Sequence, residues 1–170
     1  MISSPARSGC FLATSDAHGA CDSTLRAGPA GFVAVLDEHH LAWPEYRGNG
    51  VVASRGNMIE NPHVGLLFLD FSHERIGLHV NGRAALAGHD DLSARHPGLP
   101  VDPVPGRRAE QWVVAEVEEA YIHCAKHIPL LYRHAGDRRP LTHRAPAKKT
   151  DYFGTAAAYL GTAAAAPGPA

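Results

Sequence analysis

His63-Val64-Gly65-Leu66-Leu67-Phe68-Leu69-Asp70-Phe71 is the stretch that decides the fold. Asn61-Pro62 stands directly before it, and a residue that precedes proline avoids the helical region. Whatever helix comes before must therefore stop there, and the apolar run that follows has the length of a central strand. Downstream, residues 76–86 alternate, with Ile76, Leu78 and Val80 on one face and His79 and Asn81 on the other. Residues 111–124 form another long run, with Val113, Ala115 and Val117 set against Val114, Glu116 and Glu118. Its second half, 118–131, also fits a helix, and that boundary stays open. On a strand Glu116 and Glu118 share a face, which reads as a solvated face rather than an acid/base pair.

Upstream the pattern is similar. Residues 11–14 predict a strand, 15–19 a hairpin turn, and 20–25 its returning partner. Strands are also expected at 32–36, ended by Asp37-Glu38, and at 40–43, ended by Pro44. A helix is predicted over 51–60. A shorter one is predicted over 90–96, capped by Asp90 or Asp91 and stopped by Pro97. Six or seven short strands with one or two helical inserts define a mainly β (α+β) chain, a small antiparallel barrel closed or nearly so.

The chain has 170 residues, enough for one domain, with 45% hydrophobic and 19% charged residues to build a core. Sixteen Lys and Arg against 17 Asp and Glu give a net charge of −1, without the basic excess that nucleic acid or membrane surfaces demand. Cys10, Cys21 and Cys124 include no C-x-x-C pair, so reduced thiols in a cytoplasmic protein are expected. No segment is long and apolar enough to span a membrane. The expected organisation is a flexible leader over 1–10, one domain over 11–155 with a surface loop at 97–108, and a flexible Ala/Gly/Pro-rich tail over 156–170.

Residues 43–61 carry the most chemistry. Gly48, Gly50, Gly56, Asn49, Asn57, Asn61, Arg47, Ser54 and Arg55 surround the predicted helix. Glycines let a backbone approach a ligand, a helix start offers free N–H groups to an anion, and arginine forks onto phosphate. The chemistry fits a phosphate-bearing small molecule, against the plainer reading of a simple loop. A second cluster is Tyr121-Ile122-His123-Cys124-Ala125-Lys126-His127, where Lys126 or His123 would meet negative charge. His123, Cys124 and His127 do not converge easily on one metal ion, because adjacent side chains diverge, and no metal is expected. Arg26, between a strand and Gly28-Pro29, reads either as a surface group or as a ligand contact. Nucleophile-elbow, phosphate-loop and dinucleotide fingerprints are all missing.

The ordered set of motifs is similar to a known family. The set runs Phe11-Leu12-Ala13-Thr14-Ser15-Asp16, Arg26-Ala27-Gly28-Pro29-Ala30-Gly31-Phe32-Val33, Pro44-Glu45-Tyr46-Arg47-Gly48-Asn49-Gly50, Glu60-Asn61-Pro62-His63-Val64-Gly65-Leu66-Leu67-Phe68, His79-Val80-Asn81-Gly82-Arg83-Ala84 and Val117-Glu118-Glu119-Ala120-Tyr121-Ile122-His123-Cys124-Ala125-Lys126. Over about residues 10–155 the chain resembles the pyridoxamine 5'-phosphate oxidase-like FMN-binding split barrels, in a branch of uncharacterised bacterial members. The resemblance implies a six-stranded antiparallel split β-barrel, a homodimer, and FMN in the groove between subunits. It places the phosphate grip at Arg47, Asn49, Ser54, Arg55 and Asn57, Arg26 beside the ring system, and His123 and Lys126 at the pocket's edge.

There are departures from the pattern. Where many relatives carry an Arg-Arg or Arg-Lys pair before the helix, this chain has Gly50-Val51, and the Arg-x-His ending of the vitamin B6 oxidases is missing. The implied activity is therefore an FMN-dependent oxidoreductase acting on a small organic substrate rather than a vitamin B6 oxidase. The alternatives are a non-catalytic flavin carrier, or the same barrel holding a deazaflavin coenzyme or haem. Arg107, Arg108, Arg138 and Arg139 would serve a deazaflavin's acidic tail, and His123 and His127 would be the first axial ligands to test for haem.

Overall fold

The computed structural model describes residues 9–46, 52–72, 74–103 and 108–131. The first eight residues of the expected leader and all of the tail lie outside these ranges, and β1 reaches into the leader's last two positions. In chain order the elements are β1 (Gly9–Ser15), β2 (Cys21–Ala27), β3 (Ala34–Val35), β4 (His40–Glu45), α1 (Ala53–Glu60), β5 (His63–Leu69), β6 (Gly77–Gly88), α2 (His89–Arg95), β7 (Gln111–His123) and a 3-10 turn (Ala125–His127). The strands form one antiparallel sheet in the order β2-β1-β5-β6-β7-β4-β3. The seven strands agree with the six or seven read from the residues; the resemblance implies six, and the two-residue β3 at an edge is the seventh.

The sheet curls around a core of Leu12, Trp43, Val64, Leu66, Val80, Val113 and Ala115, and Met58 of α1 packs into the same cluster. β2 and β4, far apart in the strand order, are joined by side chains rather than a ladder: Arg26 Nε donates to Glu45 Oε1 at 2.8 Å. Among the described residues no backbone ladder joins these two strands, so the sheet is not closed there. A second, smaller core lies on the outside of the sheet, where Leu92 of α2 covers Ala42, Ala109 and Trp112.

Several expectations are corrected in detail. Pro44 does not end its strand; it pairs opposite Trp112, and the strand continues to Glu45. The predicted strand at 32–36 shrinks to two residues. Phe32 N–H donates to Pro29 O, and Gly31 takes a φ of +79°, so a turn consumes its first half. At α2 neither aspartate caps: Gly88 holds the N-cap position without a side-chain bond, and Asp90 and Asp91 sit in the first turn, where carboxylates complement the helix dipole. The open boundary at 118–131 resolves as strand to His123, followed by the single 3-10 turn.

The pairing of Glu116 and Glu118 also changes. Asn81 pairs with Glu119 while Gly82 pairs with Val117, so Glu118 is the extra residue of a bulge. A bulge reverses the in/out alternation beyond it. Glu119, not Glu118, therefore shares a face with Glu116, and Asn81 Nδ2 donates to its Oε2 at 3.0 Å. Gly82 permits this approach: a Cβ there would lie 2.0 Å from the Glu116 carbonyl oxygen.

Candidate functional site

The helix singled out by its chemistry is fastened to the β1–β2 hairpin by polar side chains. Asp22, Thr24 and Arg26 alternate along β2 opposite Thr14, Leu12 and Cys10, so they share the inward face. Ser54 Oγ donates to Asp22 Oδ2 at 2.8 Å, and Asn57 Nδ2 donates to Thr14 Oγ1 at 3.1 Å. One turn further on, Asn61 Nδ2 donates to Ser15 Oγ at 2.8 Å. Ser54 and Thr14 are buried, where each such bond removes a desolvation cost that an unpaired hydroxyl would carry.

Arg55 is different. Its neighbours Ser54 and Asn57 are engaged, but the Arg55 Nε is buried without a hydrogen-bond partner among the described residues. It stands in the first turn of α1, whose N-cap residue Val52 makes no side-chain bond and whose first turn holds no acidic residue. A helix start that keeps its N–H groups, beside a guanidinium with an unused donor, is suited to a phosphate or carboxylate.

Arg26 is not free in this way. Besides Glu45 Oε1, its Nη2 reaches Glu45 Oε2 at 3.2 Å and its Nη1 reaches Thr24 Oγ1 at 3.3 Å. Trp43 Nε1 donates to the same carboxylate at 3.2 Å. The pair is largely enclosed, with side-chain exposures of 19% for Arg26 and 10% for Glu45. Cys10 pairs across from Arg26, and burial pushes its thiol up to about 12, partly offset by the arginine's charge. It is an inert core group, not a nucleophile.

Among the described residues, Lys126 does not gather with these. Lys126 is exposed in the 3-10 turn after β7, whose last residue pairs with Gly77 at the start of β6. That is the opposite end of the β5–β6 hairpin from Asn61 and α1, because β5 runs away from the helix. Arg47, Asn49, Arg107, Arg138 and Arg139 lie outside the described residues, as does the His123 side chain. Among the described residues no group of three or more His, Cys, Asp or Glu side chains is placed to hold a metal ion. Thr14, Asp22 and Glu45 are the site residues that sequence reasoning passed over. Their signal was available: Asp22 and Arg26, two charges on one inward face of β2, must each find a partner.

A curled antiparallel sheet, split at one seam and carrying the start of α1 beside the β1–β2 hairpin, defines a split-barrel protein. The sequence matches the pyridoxamine 5'-phosphate oxidase family over residues 5–124, and the chain belongs to that family. No curated protein matches it in sequence. Among solved structures it is similar to a single-residue variant of HupZ from Group A Streptococcus, with a TM-score of 0.50 and 15% identity over 70% of this chain and 92% of that one. It is similar to HutZ, the haem storage protein of Vibrio cholerae, with a TM-score of 0.45 and 15% identity over 69% and 87% of the two chains. An FMN-binding protein of Syntrophomonas wolfei gives a TM-score of 0.47 and 11% identity over 66% and 75%.

Proposed function

We propose that this protein is an FMN-dependent oxidoreductase acting on a small organic substrate, with the cofactor in a groove between two copies of the chain. One observation carries the cofactor reading: among the described residues, the buried Arg55 Nε has no hydrogen-bond partner and the start of α1 has no side-chain cap. A bound flavin would supply the electron and hydride chemistry. The chain's own residues bind and orient. Arg55 and the first N–H groups of α1 take the phosphate, and Arg47 and Asn49, a few positions earlier in the sequence, complete the grip. Ser54 and Asn57 act one step back, since their donors are committed to Asp22 and Thr14 and hold the helix on the hairpin. Arg26, committed to Glu45, keeps the seam closed. Lys126, exposed after β7, serves an anionic substrate or the ring edge.

The test is an absorbance spectrum of the purified protein with mass identification of whatever denaturation releases. Flavin bands and the mass of FMN are expected, and Arg55→Ala should weaken FMN binding at least about tenfold in a fluorescence titration. A colourless protein that takes up no added FMN would end this reading. Deazaflavin or haem bands would replace the cofactor. Arg108, one of the four arginines that could serve a deazaflavin tail, forms an exposed ion pair with Asp90 at 2.9 Å.

A further inference from the structure

The inner face of β2 is fastened at two points with different chemistry. At Asp22 it holds the start of α1 through Ser54 Oγ, and at Arg26 it holds the end of β4 through Glu45. Four residues along a strand cover about 13 Å, so the two fastenings mark out the length of a small extended molecule. The α1 end offers donors: the buried Arg55 Nε has no partner among the described residues, and the helix start has no side-chain cap. The Glu45 end offers acceptors. Gln111, the first residue of β7, pairs directly opposite Glu45. It alternates with Val113 and Ala115, both in the main core, so its side chain faces inward. Its Oε1 is buried and, among the described residues, has no hydrogen-bond partner.

The donors nearest to it in the register are committed elsewhere. Arg26 Nε, Arg26 Nη2 and Trp43 Nε1 go to the Glu45 carboxylate, and Arg26 Nη1 goes to Thr24 Oγ1. Trp112 Nε1, one residue along β7, goes to His89 Nδ1 on the outer face. A buried carbonyl left unpaired carries its full desolvation penalty, and a donor on a ligand removes it.

We propose that Gln111 is a further ligand contact of the site: its carboxamide oxygen accepts a hydrogen bond from a ring N–H or a hydroxyl of the bound molecule. The proposal rests on the flavin reading above for the identity of that molecule and adds its orientation, phosphate toward α1 and the donor-bearing portion toward β7. The charge pattern points the same way. Gln111 Oε1 and the Glu45 carboxylate are acceptors on neighbouring strands, which repel a phosphate and suit a group that donates. A flavin carries both kinds of donor, the imide N–H of its ring and the hydroxyls of its side chain.

The experiment compares the wild type with Gln111→Met, which keeps the length of the side chain and removes its polar atoms. In thermal melts without added ligand, Gln111→Met should melt about 3 °C higher, because no unpaired oxygen stays buried. In fluorescence titrations it should bind FMN and riboflavin about tenfold more weakly than the wild type, by the same factor for both because the phosphate is not its partner. Lumiflavin, the ring without the hydroxylated chain, tells the donors apart. A tenfold loss that persists on lumiflavin assigns the ring N–H, and a loss that vanishes assigns a hydroxyl. Should Gln111→Met not fold, Gln111→Ala is read in the same titrations. Flavin affinities equal to those of the wild type overturn the inference, and so does a loss confined to FMN, which would put Gln111 at the phosphate. A Gln111→Met protein that melts several degrees lower overturns it as well, because the oxygen would then be paired in the protein alone. The two readings fail in different ways. A wild type that binds neither FMN nor riboflavin ends the cofactor reading and this contact together, whereas a wild type that binds both, with Gln111→Met no weaker, removes Gln111 alone.

Discussion

Replacing Arg26 by methionine distinguishes a seam clasp from a cofactor ligand. The Glu45 carboxylate receives Arg26 Nε at 2.8 Å, Arg26 Nη2 at 3.2 Å and Trp43 Nε1 at 3.2 Å. Arg26→Met leaves that carboxylate, on a side chain 10% exposed, with the indole as its one remaining side-chain donor among the described residues. Stranding a buried charge in this way costs roughly 3–5 kcal/mol, and residual contact with water moves the figure toward the lower end. Glu45→Gln strands the guanidinium instead, which keeps Thr24 and is slightly more exposed, and should cost about 2–3 kcal/mol. The double variant removes both charges together, so its loss should fall well short of the sum, a coupling of about 2 kcal/mol. Urea unfolding of the four proteins, extrapolated linearly, measures all of this. FMN affinity of Arg26→Met below its unfolding transition should stay within a few-fold of the wild type. The reasoning is refuted if Arg26→Met loses under about 1 kcal/mol and shows no coupling to Glu45. If such a variant also fails to bind FMN, Arg26 is a ring contact and the barrel's edges are held by something else.

Gly82→Ala should abolish the native fold or cost several kcal/mol by thermal melting, because its Cβ would lie 2.0 Å from the Glu116 carbonyl oxygen in the bulge. Gly56→Ala should do the opposite: it lies inside α1 with nothing within 4 Å of a new Cβ, and should add about 0.5–1 kcal/mol of stability in the same melts. Ellman's reagent at pH 8 should modify Cys21 and Cys124, both exposed, and reach Cys10 only in denaturant, since burial holds that thiol up at about 12. The Asp16 carboxylate accepts the Ala20 and His18 N–H groups, each at 2.8 Å, which holds it below its ordinary value. Its stabilisation of the hairpin is therefore full above that ordinary value and lost as pH falls through the lowered one. The stability gap between wild type and Asp16→Ala should close in acid, as chemical unfolding at stepped pH would register.

The elements readable in advance were those whose signal is local. β5 follows from an uninterrupted apolar run behind Asn61-Pro62, α1 from the same stop read backwards, and the β1–β2 hairpin from Gly19, which takes a φ of +85° in its turn. What escaped depends on which strands become neighbours. Pro44 reads as a terminator because it offers no N–H to a ladder. It continues β4 on the strength of the pairing with β7, where it faces Trp112. The bulge at Glu118 escaped for the same reason. Period two holds from Val113 to Val117, and the shift beyond it comes from Gly82 on another strand, whose bare backbone lets the Glu116 carbonyl come close.

The site divides along the same line. The loop and helix at 43–61 were legible from residue types alone, since glycine, asparagine and arginine at a helix start suit an anion whatever surrounds them. Which of those side chains remain available to a ligand was not legible, because availability is set by long-range partners. Ser54 meets Asp22, Asn57 meets Thr14, and Arg26 meets Glu45, all across distances the sequence does not order. The first two pairs consume donors expected at the phosphate, and the third occupies the guanidinium expected beside the ring system. Arg55 Nε has no partner among the described residues, and so the proposed grip moves off Ser54 and Asn57 and onto Arg55 and the helix's own amides, alongside Arg47 and Asn49. That shift makes a sharper claim than the family likeness does: Ser54→Ala and Asn57→Ala should lower stability more than FMN affinity, and Arg55→Ala the reverse.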